Sequence, residues 1–571
     1  MATKSTLNNA EILEALAHNT DEIENENIFE DNISDTEEDI LETASETCDE
    51  LCGFDSDNND MDISPASYFG KDGTEWSSVP SITGRPAAHN IIRGSLNKVV
   101  LPPGKHIDLP IDAFSLFFND DVINIIVKFT NLHGHSVNEK WKDTDQIEIR
   151  AFIGLLLDAG IRKQGLYDYD DFWDPLFGNA IYRACMSKNR FSELCTHLRF
   201  DDHSTRSLRR VKDKFAPIRD LWDLINQNLK KHYIPGDNLT IDEQLIPYRG
   251  RVSFRQYMPS KPDKYGMKIW WICDSITSYP LFGIPYLGQP ETGRSVNLSK
   301  TIAEQLCEPF ERTNRNITFD NYFTSYELVS SLLSKGLTCV GTVRKNKRWI
   351  PQHFLPHKNR EIESNVFGFR KTMTLVSYVP KKNRAVILLS TMHHNAVIDA
   401  SNRNKSEINL YYNATKGGVD TLDQKCHAFS SKRKTRRWPL AQFYNLVDVC
   451  GIAAEILWMN LNPDWNKKKL NFRRKLFLKN VVQDLVITNI KRRNIIHLSK
   501  SCVAAIHETI ENCSSNLAND DVVKEESNVR RRCYLCPSVK GRASKQICDT
   551  CRKNVCNEHS QKVVCCKNCT N

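Results

Sequence analysis

Apolar residues recur at helical spacing through residues 91–237 and then switch abruptly to short alternating runs. In the first region the pattern predicts helices over Ala113–Thr130, Arg190–Leu198 and Lys212–Lys231, the last with Ile218, Leu221, Leu224 and Ile225 on one face. Asp145, with Glu148 three residues on, is placed to cap a further helix carrying Ile149, Phe152, Ile153 and Leu156. From Leu239 the runs read as strands: Leu239–Ile241, Ser253–Tyr257, Met267–Asp274 and Pro280–Tyr286. A helix over Leu298–Phe310, a strand ending at Asp320, a helix over Tyr326–Lys335 and a strand over Thr338–Val343 follow. Strands followed by helix–strand alternation predict a mixed α/β sheet. Residues 347–406 interrupt the pattern with a polar, basic segment holding strands at Met373–Tyr378 and Ala385–Ser390. A last long helix, from Pro439 to about Asn460, is apolar nearly all round, so it should be buried against the earlier helices.

Charge sharpens this outline. The chain's net +7 conceals an acidic head, since residues 1–62 hold 20 Asp or Glu and one Lys; the remainder is left at about +26. A basic body points to a polyanionic partner, nucleic acid first. The head, within residues 1–90, has the composition of a disordered segment, either competing with DNA for the basic surface or merely solubilising the chain. No secretory pattern is seen, and the longest apolar runs, Ala151–Leu157 and Met267–Cys273, are core-sized, so a soluble, intracellular protein without membrane contact is expected.

Three acidic stretches then stand out. Asp242 and Asp320 each follow a short apolar run that reads as a strand, and Asp420 and Asp423 lie three apart where Gly417-Gly418 opens a helix. A carboxylate hidden at a strand end is costly without a cation. Oxygen ligands suit Mg²⁺ or Mn²⁺, and three or four acids suffice for two ions serving in-line phosphoryl transfer. Either Asp420 or Asp423 could complete such a site. Asp274 also ends a strand but is explained as well by a turn, and Asp168, Asp170, Asp171, Asp201 and Asp202 read as loop or cap carboxylates. Basic and aromatic residues suited to a phosphate backbone lie close in sequence: Arg249, Arg251, Arg255, Tyr257, Lys261 and Lys264, then Arg344, Lys345, Lys347, Arg348 and Trp349, and a dense run through Arg433, Arg436 and Arg437.

Eight of the 19 cysteines fall between Cys533 and Cys569. The pairs Cys533/Cys536, Cys548/Cys551, Cys556/His559 and Cys566/Cys569 supply eight ligands, enough for two structural Zn²⁺ ions in a segment too short to fold on its apolar core. Interleaved pairing would put Cys533, Cys536, Cys556 and His559 on one ion and Cys548, Cys551, Cys566 and Cys569 on the other; sequential pairing is the alternative. Cys565 competes with Cys566 for the seventh position.

In order and spacing, IDEQLIPYRGR, YMPSKPDKYGMKIWWICDS, IPYLG, RNITFDNYFTS, VGTVRKNKR, YYNATKGGVDTLDQ and RKTRRWP resemble the piggyBac family of DDE transposases over residues 140–460. The C-terminal module resembles that family's cysteine-rich domain. The resemblance implies a ribonuclease-H-like core at 238–346 and 407–430, with an insertion domain at 347–406. It also implies a discontinuous, mostly helical dimerisation and DNA-binding domain at 91–237 and 431–505, then a linker at 506–532 and the zinc cross-brace at 533–571. The family's metal-binding acids fall on Asp242, Asp320 and Asp420, its additional functional acid on Asp423, and its tryptophan after the basic run on Trp438, for DNA contact or packing. The implied activity is cut-and-paste transposition in the nucleus: a homodimer binds terminal inverted repeats and nicks the ends. It then joins strands through a 3′-hydroxyl, with hairpin ends and TTAA targets. The alternatives are a domesticated relative that binds DNA without mobilising it, and a chromatin-associated zinc module that contacts a protein tail.

Overall fold

A computed structural model describes residues 66–80, 92, 96–163, 169–259, 261–288, 297–517, 531–536, 543–544 and 554–560. The acidic head up to residue 65, Cys548, Cys551, Cys565, Cys566 and Cys569 lie outside them.

The first element among the described residues was not expected. Residues assigned to the disordered head form a hairpin, β1 (Ser67–Phe69) and β2 (Glu75–Ser77). Its Trp76 is fully buried and donates from its indole nitrogen to the Trp349 carbonyl at 3.0 Å. Acidic composition masked this aromatic anchor, whose burial can offset the ordering of a short hairpin.

The helical region follows: α1 (Pro110–Ser115), α2 (Asp120–Val137), α3 (Gln146–Ile161), α4 (Lys188–His197), α5 (Arg206–Lys212) and α6 (Arg219–Lys231), with short helices at Tyr169–Trp173 and Ala180–Cys185. The predicted helix over Ala113–Thr130 is broken in two, and that over Lys212–Lys231 begins only at Arg219. Asn119 caps α2 by accepting from the Val122 amide at 3.1 Å, so the chain restarts there instead of running on from Ala113. Asp213 accepts from the Phe215 amide and pairs with Arg219, which turns the chain between α5 and α6. Asp145 caps α3 as read, whereas Glu148 pairs with Arg190.

A small ladder of β3 (Lys98–Val99) and β4 (Tyr233–Ile234) leads into the central sheet. Its core comprises β5 (Asn238–Pro247), β6 (Arg255–Tyr257), β7 (Tyr265–Asp274), β8 (Pro280–Pro285), β9 (Asn316–Phe319) and β10 (Thr338–Thr342), with α7 (Leu298–Cys307) before β9 and α8 (Tyr326–Ser334) after it. The order β8-β7-β5-β9-β10, antiparallel across β8, β7 and β5 and parallel across β5, β9 and β10, is the ribonuclease-H-like arrangement. Residues 347–406 interrupt the chain but not the sheet: β13 (Arg384–Ser390), β12 (Met373–Lys381) and β11 (Asn365–Arg370) continue in that order from β10, and β2 then β1 extend that edge. Unpaired edges of β10 and β13 satisfy each other, so the insertion shares the core's hydrogen-bond network.

The chain then runs through α9 (Glu407–Thr415) and α10 (Gly418–Ala428) and returns to the first helical region as α11 (Trp438–Leu461) and α12 (Arg473–Lys491), before a helix at Lys500–Leu517. Among the described residues α11 is long and apolar enough to cross a membrane, but its side chains are nearly all buried inside the protein, as its apolar circumference predicts. Asn489 of α12 donates to the Cys185 carbonyl at 2.9 Å, and Arg492 pairs with Asp145, tying the late helices to the early ones.

Inside α11, Asp448 is buried and accepts from the Ser431 amide at 2.8 Å and the Ser430 hydroxyl at 3.1 Å. Burial raises its pKa from 3.8 to about 7 against those hydrogen bonds. The folded state therefore holds this proton more tightly than the unfolded chain, and stability from this group is lost as pH rises from about 4 to 7. Asp448→Asn should stabilise the protein, with its advantage growing by roughly 2–3 kcal/mol between pH 5 and pH 8 in urea unfolding.

Candidate active site

The parallel pair β5 and β9 stays in register up to Ile241 opposite Phe319. β5 then continues to Pro247 alongside β7, whereas β9 ends. Asp242 and Asp320 are the next residues on the two chains, so both carboxylates stand where the strands part. Asp242 thus lies inside β5, not at its end as the short apolar run implied. β5 loses its neighbour on one side here, the usual place for ligands on a sheet with parallel strands.

Burial, then the charges of Asp320, Glu243 and Asp420, push the Asp242 carboxyl well above the ordinary range. Burial, then Glu243, raises Asp320 to about 6, although its carboxylate accepts from the Tyr322 amide at 2.9 Å. These acids are close enough to repel one another, which is the electrostatic mark of a site built for a cation.

The helix α10 brings the remaining two. Asp420 is exposed and its Oδ1 lies 3.5 Å from Lys261 Nζ. Asp423 is largely buried; it accepts from Gln244 at 3.1 Å and lies 3.6 Å from His427 Nδ1. Burial raises its pKa against His427, Gln244 and Lys261. Asp420 and Asp423, one helical turn apart, therefore differ: the first faces Asp242 and Lys261, and the second is anchored to β5 through Gln244. Gln244 also bonds Trp271 and Asn445, which locks α10, α11 and β7 around the site.

Asp274 serves the turn. It accepts from the Ile276 and Thr277 amides at 3.0 and 2.8 Å and from the Gly236 amide at 2.7 Å. Asp201 is held by Arg206 and Arg209, and Asp202 by Ser204, so these too are structural.

Sequence reasoning missed three further groups. Glu243 points to the opposite face of β5 from Asp242 and pairs with Lys268 at 3.4 Å, the ammonium resting over the Tyr322 ring at 4.8 Å. Asp263 holds His427 at 3.4 Å and, ahead of other causes, raises its pKa to about 9, so the imidazole is a cation at neutral pH. Lys261, counted only as a backbone-binding base, faces the carboxylates. Acids and bases flanking Asp242 and Asp423 in sequence were the available signal.

Of the expected DNA contacts, Arg249, Arg251, Arg344, Lys345, Arg348 and Arg436 are exposed and Lys347 is half-buried. Arg433, Arg437 and Trp438 are committed to packing. Arg433 is buried over the Phe172 ring at 5.6 Å, and Arg437 donates to the carbonyls of Cys195, Thr196 and Leu198. Trp438 is half-buried against Phe215 and Phe254, with ring centroids 5.4 and 5.2 Å away.

The structure also joins Cys533, Cys536, Cys556 and His559, whose ligand atoms all lie within 4.8 Å of one another. Four of the six ligand-atom separations run from 3.3 to 3.6 Å. A tetrahedral Zn²⁺ sets edges of about 3.6–3.8 Å, so the quartet fits that ion through His559 Nδ1. This is the interleaved set; its partner set lies outside the described residues.

Sheet order and the acids at the strand divergence define a protein of the ribonuclease-H-like class. The family described as Transposase IS4 matches residues 109–454. The chain belongs to that family, as a transposase of piggyBac type or a derivative of one. It is 26% identical over 390 residues to human PiggyBac transposable element-derived protein 3, covering 61% of this chain and 62% of the relative. To human PiggyBac transposable element-derived protein 2 it is 24% identical over 350 residues, covering 58% of each. The chain thus spans less than two thirds of the curated relatives it matches. A solved piggyBac transposase synaptic complex with hairpin DNA is 38% identical with a TM-score of 0.66, covering 81% of this chain and 97% of that one.

Proposed function

We propose that the protein is a metal-dependent DNA transposase that excises and reinserts its element by cutting and joining phosphodiester bonds. The observation that carries this reading is the half-buried, mutually repelling pair Asp242 and Asp320 at the parting of β5 and β9, with Asp420 carried towards them on α10. An all-oxygen donor set of carboxylates fits hard divalent ions, so Asp242, Asp320 and Asp420 would hold two Mg²⁺ or Mn²⁺. When bound, such ions lower the pKa of an attacking water or 3′-hydroxyl and stabilise the leaving oxygen.

The chain's own residues do the rest. Asp423, fixed by Gln244, orients α10 so that Asp420 faces Asp242. Arg249, Arg251, Arg344, Lys345, Lys347, Arg348 and Arg436 present cations to the phosphate backbone, while Arg433, Arg437 and Trp438 brace the helical region that supports them. The helical segments 91–237 and 431–505 would dimerise and grip the ends, and the cysteine module, with its zinc ions, would read the terminal repeats in the nucleus. End nicking, transfer through a 3′-hydroxyl, hairpin ends and TTAA targets complete the proposed cycle.

A labelled element end incubated with the full chain tests this: Mg²⁺-dependent nicking and hairpin formation support it, and binding without cleavage in either metal moves the protein to the domesticated, DNA-binding class. The names of the human relatives give that second class its weight. Arg344→Ala with Arg348→Ala should weaken end binding regardless of sequence and reduce the salt slope of log K by about 2, read by binding isotherms across salt.

A further inference from the structure

Around the site, the outlying acids each have a cation of their own. Glu243 has Lys268, and Asp423 has His427. Asp242 and Asp420 face Lys261, whose Nζ lies 3.5 Å from Asp420 Oδ1 and donates to the Glu243 carbonyl at 3.2 Å. That carbonyl is available because β9 has ended and β5 has no strand on that side. Lys261 is largely shielded, with 18% of its side chain exposed.

The segment that delivers it is constrained. Met258 donates its amide to the Lys264 carbonyl at 2.7 Å, and Lys261 donates its amide to the Met258 carbonyl at 3.1 Å. Pro259 and Pro262 restrict the backbone on either side. Asp263 then fastens the segment to His427 on α10. The fold thus holds the base of Lys261 in place and leaves the ammonium on a flexible four-carbon stem.

Resting on the reading of these acids as a metal site, we propose that Lys261 is the resident counter-cation of that site and exchanges partners during the reaction. In the metal-free protein it neutralises Asp420 and Asp242. Asp420 and Asp242 would then be free to hold divalent ions, and the ammonium they release would bind a non-bridging oxygen of the substrate phosphate. Two cations cannot share the same carboxylate cheaply, so Lys261 competes with metal while assisting the phosphate. A purely structural lysine would not produce those opposite effects.

The test is Mn²⁺ binding to the full-length protein without DNA, followed by electron paramagnetic resonance, together with end cleavage at saturating Mn²⁺. Lys261→Met should bind Mn²⁺ about 5- to 20-fold more tightly and cleave about 10- to 100-fold more slowly; Lys261→Arg should recover most of the rate. Unchanged or weaker Mn²⁺ binding by Lys261→Met overturns the competition, and an unchanged rate at saturating metal overturns the phosphate contact. Lys261→Gln supplies the same two readings if the methionine variant does not fold. If Asp320→Asn leaves Mn²⁺ binding as in the wild type, the failure lies in the reading of the acids and not in Lys261.

Discussion

Asp320→Asn is expected to reduce strand cleavage by about 10³-fold or more while end binding changes less than about threefold. The substitution keeps the size of the side chain and its ability to accept from the Tyr322 amide, so the turn after β9 should persist. What it removes is one of two carboxylates at the strand divergence, where burial already makes charge expensive. The metal-free variant should be no less stable than the wild type, since a repelling charge has gone. Single-turnover cleavage, a gel-shift isotherm and a thermal melt separate these effects. Cleavage within tenfold of the wild type would remove Asp320 from the chemistry.

Cys556→Ser is expected to release at least one zinc per chain and unfold the C-terminal module, with a loss of end recognition of at least tenfold. Cys533, Val555 and Cys556 form an apolar cluster of their own with Cys536 packed on it, separate from the main core. So small a cluster supplies little burial, whereas structural zinc sites contribute about 10–16 kcal/mol of apparent binding free energy at neutral pH. For the same reason the melting transition of the main body should stay where it is. Zinc content by mass spectrometry, thermal unfolding and binding to terminal-repeat DNA provide the three readings. A variant that retains its zinc and affinity would show that the quartet is not a metal centre.

Much of the fold was legible locally. Strand alternation located β7, β8, β12 and β13 to within a few residues, and the apolar circumference of α11 marked it as buried. The quartet was legible because metal-ligand spacing is written directly into the chain. Breaks within the first helices were not, since Asn119 and Asp213 act through caps and pairs that compete with a continuing apolar face. Nor was the β1–β2 hairpin, whose stability comes from burying Trp76 beneath the basic segment around Trp349, far away in sequence.

By itself the amino-acid sequence determined which acids could gather, which cysteines could share an ion, and that the body is basic. Only the tertiary structure decided that β5 outruns β9, so that Asp242 and Asp320 meet where the strands part and not inside a closed ladder. It likewise separated Asp420 from Asp423, and spent Arg433, Arg437 and Trp438 on packing. The physical reason is range: periodicity and ligand spacing act within a few residues, whereas repulsion between carboxylates and their competition for a lysine depend on separations that exist only after the chain has closed.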